Sequence, residues 1–182
     1  MNILTLPVFK NLAARQAGLD AKIKAANDVA DLPLKRIELY YRIELGECLN
    51  ELKGEFKHWS NKPMNRDPFI EELVDALHFL LSYTNHVIEG NSFFELTLET
   101  EYDQLSDFYY GYESDNGGAD AVRSEVDVWE FAADSISSAS TYHSFAILLH
   151  LAERLGYTEQ DIIETYNIKN EVNHNRSDSG VY

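Results

Sequence analysis

Leu34-Lys-Arg-Ile37-Glu-Leu-Tyr40-Tyr41-Arg42-Ile-Glu44-Leu-Gly46-Glu47-Cys48-Leu-Asn50-Glu51 and Asp67-Pro68-Phe-Ile-Glu71-Glu72-Leu-Val-Asp75-Ala76-Leu-His78-Phe79-Leu-Leu-Ser82 decide the fold. Both stretches carry apolar residues at helical spacing. On a wheel of about 100° per residue with Glu44 at zero, Glu47 falls at about 300° and Glu51 at about 340°. Ile37, Cys48, Tyr41 and Tyr40 flank them within about 60° on either side, while Arg42, Gly46, Asn50 and Lys53 form the polar face between about 160° and about 240°. The second stretch repeats the pattern: with Glu72 at zero, Asp75 lies at about 300°, Phe79 at about 340°, Tyr83 at about 20° and Ala76 at about 40°. Two adjacent helices thus place acids among their apolar residues. Glu71, at about 260° on the same wheel, belongs with the solvated face.

Outward from these helices the periodicity stays helical. Leu12 to Ala30 reads as a first helix, broken by Asp31-Leu-Pro33. Pro33 suits the opening turn of the second helix, which runs from Leu34 to about Phe56. Asp67 as N-cap and Pro68 as first helical residue open the third, to about Ile88. Ser92 to Gly111 is mixed, with one or two short helices, and 112–120, with Gly117 and Gly118, reads as a flexible loop. Val122 to Leu155 reads as one long helix or two. Thr158-Glu-Gln-Asp161 resembles a capping box opening a last helix, Glu159 to about His174. A polar, mobile tail, residues 175–182, follows. No alternating strand pattern, repeat or low-complexity tract is present. The expectation is an all-α, multi-helix bundle in one domain, residues 1–182.

The charged residues sum to −16, from 15 Lys and Arg against 31 Asp and Glu, with a pI of about 4.6. Such a surface repels phosphate backbones and anionic lipids, which argues against nucleic-acid and membrane partners. Cys48 is the single cysteine, so neither an intrachain disulfide nor a cysteine-rich zinc site can form. Met1 to Lys10 has no basic run ahead of its apolar residues, and Phe145 to Ala152 is too short to span a bilayer. A reducing, cytoplasmic setting is the default.

Carboxylates on an apolar face need a partner, a proton or a metal. Two Glu-x-x-Glu/Asp pairs on neighbouring helices could converge on hard divalent cations such as Mg2+, which prefers carboxylate oxygens near substrate phosphates. Either pair alone is common and usually marks a solvated helix face; two on neighbouring helices point to a metal. Glu51 is a candidate outer ligand.

Three segments in order, Glu44-x-x-Glu47-x-x-x-Glu51, then Phe56-Lys57-His58-Trp59-Ser-Asn-Lys62, then Glu71-Glu72-x-x-Asp75-x-x-His78-Phe79-x-x-Ser82, resemble the dimeric dUTPases. Gln16-Ala-Gly-Leu19-Asp20 is similar to the Gln-x-x-Leu-Asn stretch of that family, with Asp20 where Asn is usual. Lys169-x-x-x-Asn173-x-x-Arg176, Gly180 and Tyr182 resemble its C-terminal pattern. Residues 91–156 carry no motif that can be placed. The family belongs to the all-α nucleoside-triphosphate pyrophosphohydrolases, alongside the MazG-type enzymes.

The resemblance implies a four-helix core, a homodimer, and Mg2+-dependent hydrolysis of dUTP, and of dUDP, to dUMP with release of pyrophosphate or phosphate. It implies that Glu44, Glu47, Glu72 and Asp75 hold two or three Mg2+ ions, with Mn2+ as a substitute. Glu44 or Glu47 would orient or deprotonate the attacking water, directed at the β-phosphorus. Gln16, Asp20, Trp59, His78 and Phe79 would form the base pocket. Lys169, Asn173 and Arg176, at i, i+4 and i+7, would reach phosphate and sugar, as would Lys57 and Lys62. The residues alone leave other roles open: Trp59 as a core plug, Gln16 solvated, His78 a hydrogen-bonded core histidine, the basic trio serving the helix dipole. Asp20 keeps a dCTP-type or MazG-like specificity in play, since an acid there could prefer an exocyclic amine. A ferritin-like di-iron protein would need two Glu-x-x-His motifs, and only Glu55 to His58 fits. A non-enzymatic acidic interaction module is the remaining alternative.

Overall fold

The computed structural model describes residues 1–29, 32–91 and 95–180. Among these there are eight α-helices and no strand: α1 Leu6–Ala26, α2 Leu34–Asn50, α3 Arg66–Gly90, α4 Leu98–Asp115, α5 Ala119–Ser124, α6 Val128–Ser137, α7 Thr141–Arg154 and α8 Glu159–Ser179. The all-α expectation holds.

The longest helix, α3, organises the molecule. It packs most extensively on α2 and also meets α1, α4, α7 and α8. Its apolar residues recur around much of the helix, so Phe69, Leu73, Val74, Leu77, Leu80 and Leu81 are all buried. A single apolar cluster runs from Ile3 and Phe9 through these residues to Ile162 and Tyr166. Helix α7 is buried from Ser144 to Ala152. His150, inside that run, is accommodated because its Nε2 lies 2.9 Å from the Tyr109 carbonyl and its ring stacks on Tyr109 at 3.6 Å. No helix among the described residues is long and apolar enough to cross a membrane.

Several boundaries differ from the sequence reading. Helix α1 starts at Leu6 rather than Leu12, because Pro7 falls in the first turn, where a missing N–H costs nothing. It ends at Ala26; Ala30 and Asp31, assigned to its end and to the break after it, lie outside the described residues. Helix α3 starts two residues early, at Arg66 after Asn65 as N-cap, rather than at Pro68 after Asp67.

Helix α2 ends at Asn50, not Phe56. The chain turns through a 3-10 segment, Lys53–Glu55, with Lys53 in the left-handed region at φ 50°. Gly54 N–H donates to Lys62 O at 2.9 Å, and a Cβ on Gly54 would sit 2.7 Å from Lys62 O and 2.8 Å from Ser60 O. That close approach admits only glycine and folds the segment bearing Trp59 back on itself.

Helix α4 is continuous through Asp115, opened by a reciprocal Thr97–Thr100 cap. The expected loop 112–120 contracts to Asn116–Gly118, since Tyr112 is buried with its hydroxyl donating to Asp134 Oδ2 at 3.0 Å. Residues 122–155 hold three helices rather than one or two. An Asp127–Glu130 capping box restarts the chain at α6, and the Ser140 hydroxyl accepts from His143 N–H at the start of α7. The Thr158–Asp161 capping box is present as read. Helix α8 runs on to Ser179 and ends on Gly180 in the left-handed region, so residues 175–179 are helical rather than a tail. Val181 and Tyr182 lie outside the described residues, as does Ser92.

Candidate active site

Helices α2 and α3 bring three of the four expected carboxylates together. One oxygen from each of Glu44, Glu72 and Asp75 lies within 4.8 Å of the others. All three side chains are half-buried. Burial first, then Asp75, Glu47 and Glu72, push Glu44 up to about 7, against the pull of Lys169. Burial and the neighbouring acids raise Glu72 as well. Burial also raises Asp75, opposed by Lys169, whose Nζ stands 2.5 Å from its Oδ2. Three carboxylates this close, with one ammonium among them, form an all-oxygen donor set that a hard divalent cation fits.

Glu47 stands outside this triad. It is exposed and acts on Glu44 and Glu72 through space. Glu51 is committed elsewhere: it accepts from Asn65 Nδ2 at 2.6 Å and pairs with Lys53 at 3.0 Å. These contacts hold it below the ordinary carboxylate range and fasten the end of α2 to the start of α3.

The raised Glu44 makes a pH prediction. Between its ordinary value of 4.5 and about 7 the folded protein keeps a proton that the unfolded chain has released. Stability from this group therefore falls as pH rises through that window. His78 and His150, lowered by burial to about 3 and about 4, work in the opposite sense and mask it in a simple scan. The difference isolates it: without metal, Glu44→Gln is expected to gain melting temperature over the wild type progressively from pH 4.5 to 7. A constant difference would show that Glu44 titrates normally.

Next to the triad, α1, α2, α3 and α8 enclose a cavity of ≈ 250 Å³. Gln16, Leu19, Asp20 and Ile23 line it from α1, Glu44 from α2, Asp75, His78 and Phe79 from α3, Asn173 and Arg176 from α8. Gln16 is the hub of its inner wall. Its Nε2 donates to Asp20 Oδ1 at 2.7 Å, and its Oε1 lies 2.6 Å from His78 Nδ1 and accepts from the Tyr166 hydroxyl at 3.3 Å. Tyr166 stacks on His78 at 4.3 Å, and the Arg15 guanidinium lies over the Tyr166 ring at 4.9 Å. Burial raises Asp20, while Ser82 and Gln16 draw it back down.

The structure therefore gathers Gln16, Asp20, His78, Phe79, Glu44, Asp75, Asn173 and Arg176 around one space. It does not bring Trp59, Lys57 or Lys62 there. Trp59 is 73% exposed and, among the described residues, meets no aromatic ring but that of His58, edge-on. With Lys53, Lys57, Ser60 and Lys62 it lines a separate hollow on the folded-back segment. Lys57 donates to Asn50 Oδ1. Lys169 lies against Asp75 rather than free for a phosphate.

Sequence reasoning missed Tyr166, quoted Ser82 in a motif without a role, and gave none to Leu19 and Ile23. The last two were accessible from their spacing, since Leu12, Gln16, Leu19 and Ile23 recur every three or four residues along one face of α1. Tyr166 lies one turn before Lys169 on α8, but nothing local links it to His78.

A family model described as dUTPase matches residues 8–181 of the chain. No curated protein sequence matches it.

Proposed function

Since the chain belongs to the all-α dUTPase family and is a dUTP diphosphatase, we propose that the cavity beside Glu44, Glu72 and Asp75 is where it converts dUTP, and also dUDP, to dUMP in a Mg2+-dependent reaction. The carrying observation is the position of the triad: Glu44 and Asp75 belong both to the cluster of converging oxygens and to the cavity wall.

The division of labour follows from the geometry. Glu44, Glu72 and Asp75 would hold Mg2+, with Glu47 as an outer contributor. Mg2+ bound there supplies positive charge against the triphosphate and makes water a stronger nucleophile at neutral pH. A net charge of −16 repels a polyanion, so this compensation has to be local. Glu44, in the cluster, or Glu47, beside it, would orient the attacking water or take its proton. Leu19, Ile23 and Phe79 offer apolar walls to a planar base, and Gln16, Asp20 and His78 a polar end. Asn173 and Arg176 face the sugar and phosphates. Lys169 can exchange Asp75 for a phosphate oxygen once cations enter.

We also infer a homodimer. Leu39 and Ile43 on α2 and Trp129 and Ile136 on α6 are large apolar residues left exposed. A hollow of ≈ 430 Å³ lined by Gly46, Leu49, Phe56, Trp129 and Ala132 continues that face. Burial against a second copy accounts for it. A cytoplasmic setting fits the substrate class.

A hydrolysis panel over the deoxynucleoside di- and triphosphates tests the reading. With Mg2+, dUTP is expected to give dUMP and pyrophosphate, and dUDP to give dUMP and phosphate. Chelation should stop both. Turnover insensitive to chelator, or dUTP left intact while purine nucleotides are cleaved, would refute it.

A further inference from the structure

Arg176 lies beyond the point where the sequence of α8 sustains a helix by itself. Residues 171–179, Glu-Val-Asn-His-Asn-Arg-Ser-Asp-Ser, are rich in Asn, Ser, His and Asp, which favour helices weakly. Such a stretch stays helical through tertiary contacts rather than propensity. The apolar anchors of α8, Ile162 and Tyr166, stop short of it, and within 171–179 Ser177 alone is buried. Asp178 sits in the last turn, where the helix dipole disfavours an acid. Arg176, the basic residue of that turn, lines the cavity instead of offsetting it.

The helix nevertheless runs to Ser179, and Asn173 and Arg176 reach the cavity wall from it. The support comes across from α1. Lys22 Nζ stands 2.7 Å from Asp178 Oδ1, donates to His174 O at 3.2 Å and lies 3.5 Å from His174 Nδ1. An ammonium has three N–H donors, and these acceptors all belong to the last two turns of α8. Two turns earlier on α1, Arg15 donates to Asn167 Oδ1 at 2.6 Å and to Asn170 Oδ1 at 3.2 Å. Two cations seven residues apart on α1 thus fasten successive stretches of α8. Lys22 itself is not part of the cavity wall.

We propose that Lys22 is a positioning residue for the nucleotide: by pinning the last turns of α8 to α1, it keeps Arg176, and Asn173 one turn before it, at the cavity. The inference rests on reading this cavity as the nucleotide site. Without the pin, the competent arrangement is populated only in part, and apparent affinity falls by that fraction. Bound nucleotide restores the full arrangement, so the loss falls on KM and not on kcat.

The experiment measures dUTP turnover with Mg2+ for the wild type, Lys22→Met, Lys22→Arg, Arg176→Ala and the Lys22→Met/Arg176→Ala double variant. It also follows backbone amide exchange in the wild type and Lys22→Met without nucleotide. Methionine keeps the apolar stem and removes the ammonium. Lys22→Met is expected to raise KM about fivefold with kcat within about twofold, the scale of one half-exposed charged contact. Lys22→Arg should hold KM near that of the wild type. In the Arg176→Ala background the same Lys22→Met change should move KM by less than about twofold, because groups that act through one another are not additive. Amides of 174–179 should exchange about fivefold faster in Lys22→Met, while those of 162–170 keep their protection. Unchanged KM, unchanged exchange, a loss carried by kcat, or the full KM effect persisting without Arg176 overturns this inference. It leaves the proposed function standing as long as Arg176→Ala itself raises KM. If the wild type leaves dUTP intact, or Arg176→Ala leaves KM unchanged, the cavity is not the nucleotide site, and the proposed function and this inference fail together.

Discussion

Glu72→Gln is expected to lower kcat/KM for dUTP by about 10³-fold or more, equivalent to about 4 kcal/mol of transition-state stabilisation. The change preserves shape and removes one charge from a cluster whose oxygens converge within 4.8 Å. The metal-free protein should not suffer. Burial and Asp75 already push Glu72 up, so its carboxylate is a source of strain in the folded state at neutral pH. Glutamine relieves it, and the melting temperature without metal should rise. The increase that Mg2+ produces in the wild type should shrink in the variant, because mass action stabilises only a protein that binds the ion. These opposite movements separate a metal ligand from a merely structural acid, whose removal would leave the Mg2+ response intact. Undiminished turnover in Glu72→Gln would remove it from the site.

Gln16→Leu is expected to damage both stability and activity. Gln16 is buried and answers three groups: Asp20 Oδ1, His78 Nδ1 and the Tyr166 hydroxyl. Leucine matches its volume approximately but satisfies none of them. Tyr166 retains Leu12 O as a second acceptor at 3.2 Å. Asp20 Oδ1 and His78 Nδ1 lose their partner, at about 1–3 kcal/mol each. The expected cost is therefore about 3 kcal/mol, or a fall in melting temperature of roughly 6–12 °C for a chain of this size. KM for dUTP should rise with it, because the two groups at the polar end of the cavity lose their fixed orientation. A solvated glutamine would change stability by no more than about 0.5 kcal/mol. A shift that small would show that the hub does not exist.

The helical character of the chain and the acid pairs on α2 and α3 were legible because they are properties of single helices. A wheel needs only 3.6-residue spacing, and that spacing placed Glu44, Glu72 and Asp75 among apolar neighbours. It placed Glu47 and Glu51 there equally, and the structure separates them. Glu47 is exposed, and Glu51 is captured by Asn65 and Lys53 after α2 has ended. That ending was hidden because its cause is a contact between Gly54 and the backbone of Ser60 and Lys62, a tertiary approach invisible in propensity. The same fold-back carries Trp59 away from the cavity. Gln16 read as a lone polar residue on a helix. Its role arises from α3 and α8, which supply His78 and Tyr166 from 62 and 150 residues away. The breaks among α5, α6 and α7 were obscured because the apolar pattern of 122–155 continues across short polar caps.

The central claim is that this acidic cavity removes pyrophosphate from dUTP in a metal-dependent reaction, with water directed at the β-phosphorus. One measurement addresses all of it: the fate of dUTP followed by phosphorus NMR in water enriched in oxygen-18, with Mg2+ and then with excess chelator. The expected result is dUMP and pyrophosphate, the heavy oxygen in pyrophosphate, and no reaction after chelation. Heavy oxygen in dUMP, products of dUDP and phosphate, or equal turnover without Mg2+ would contradict the account.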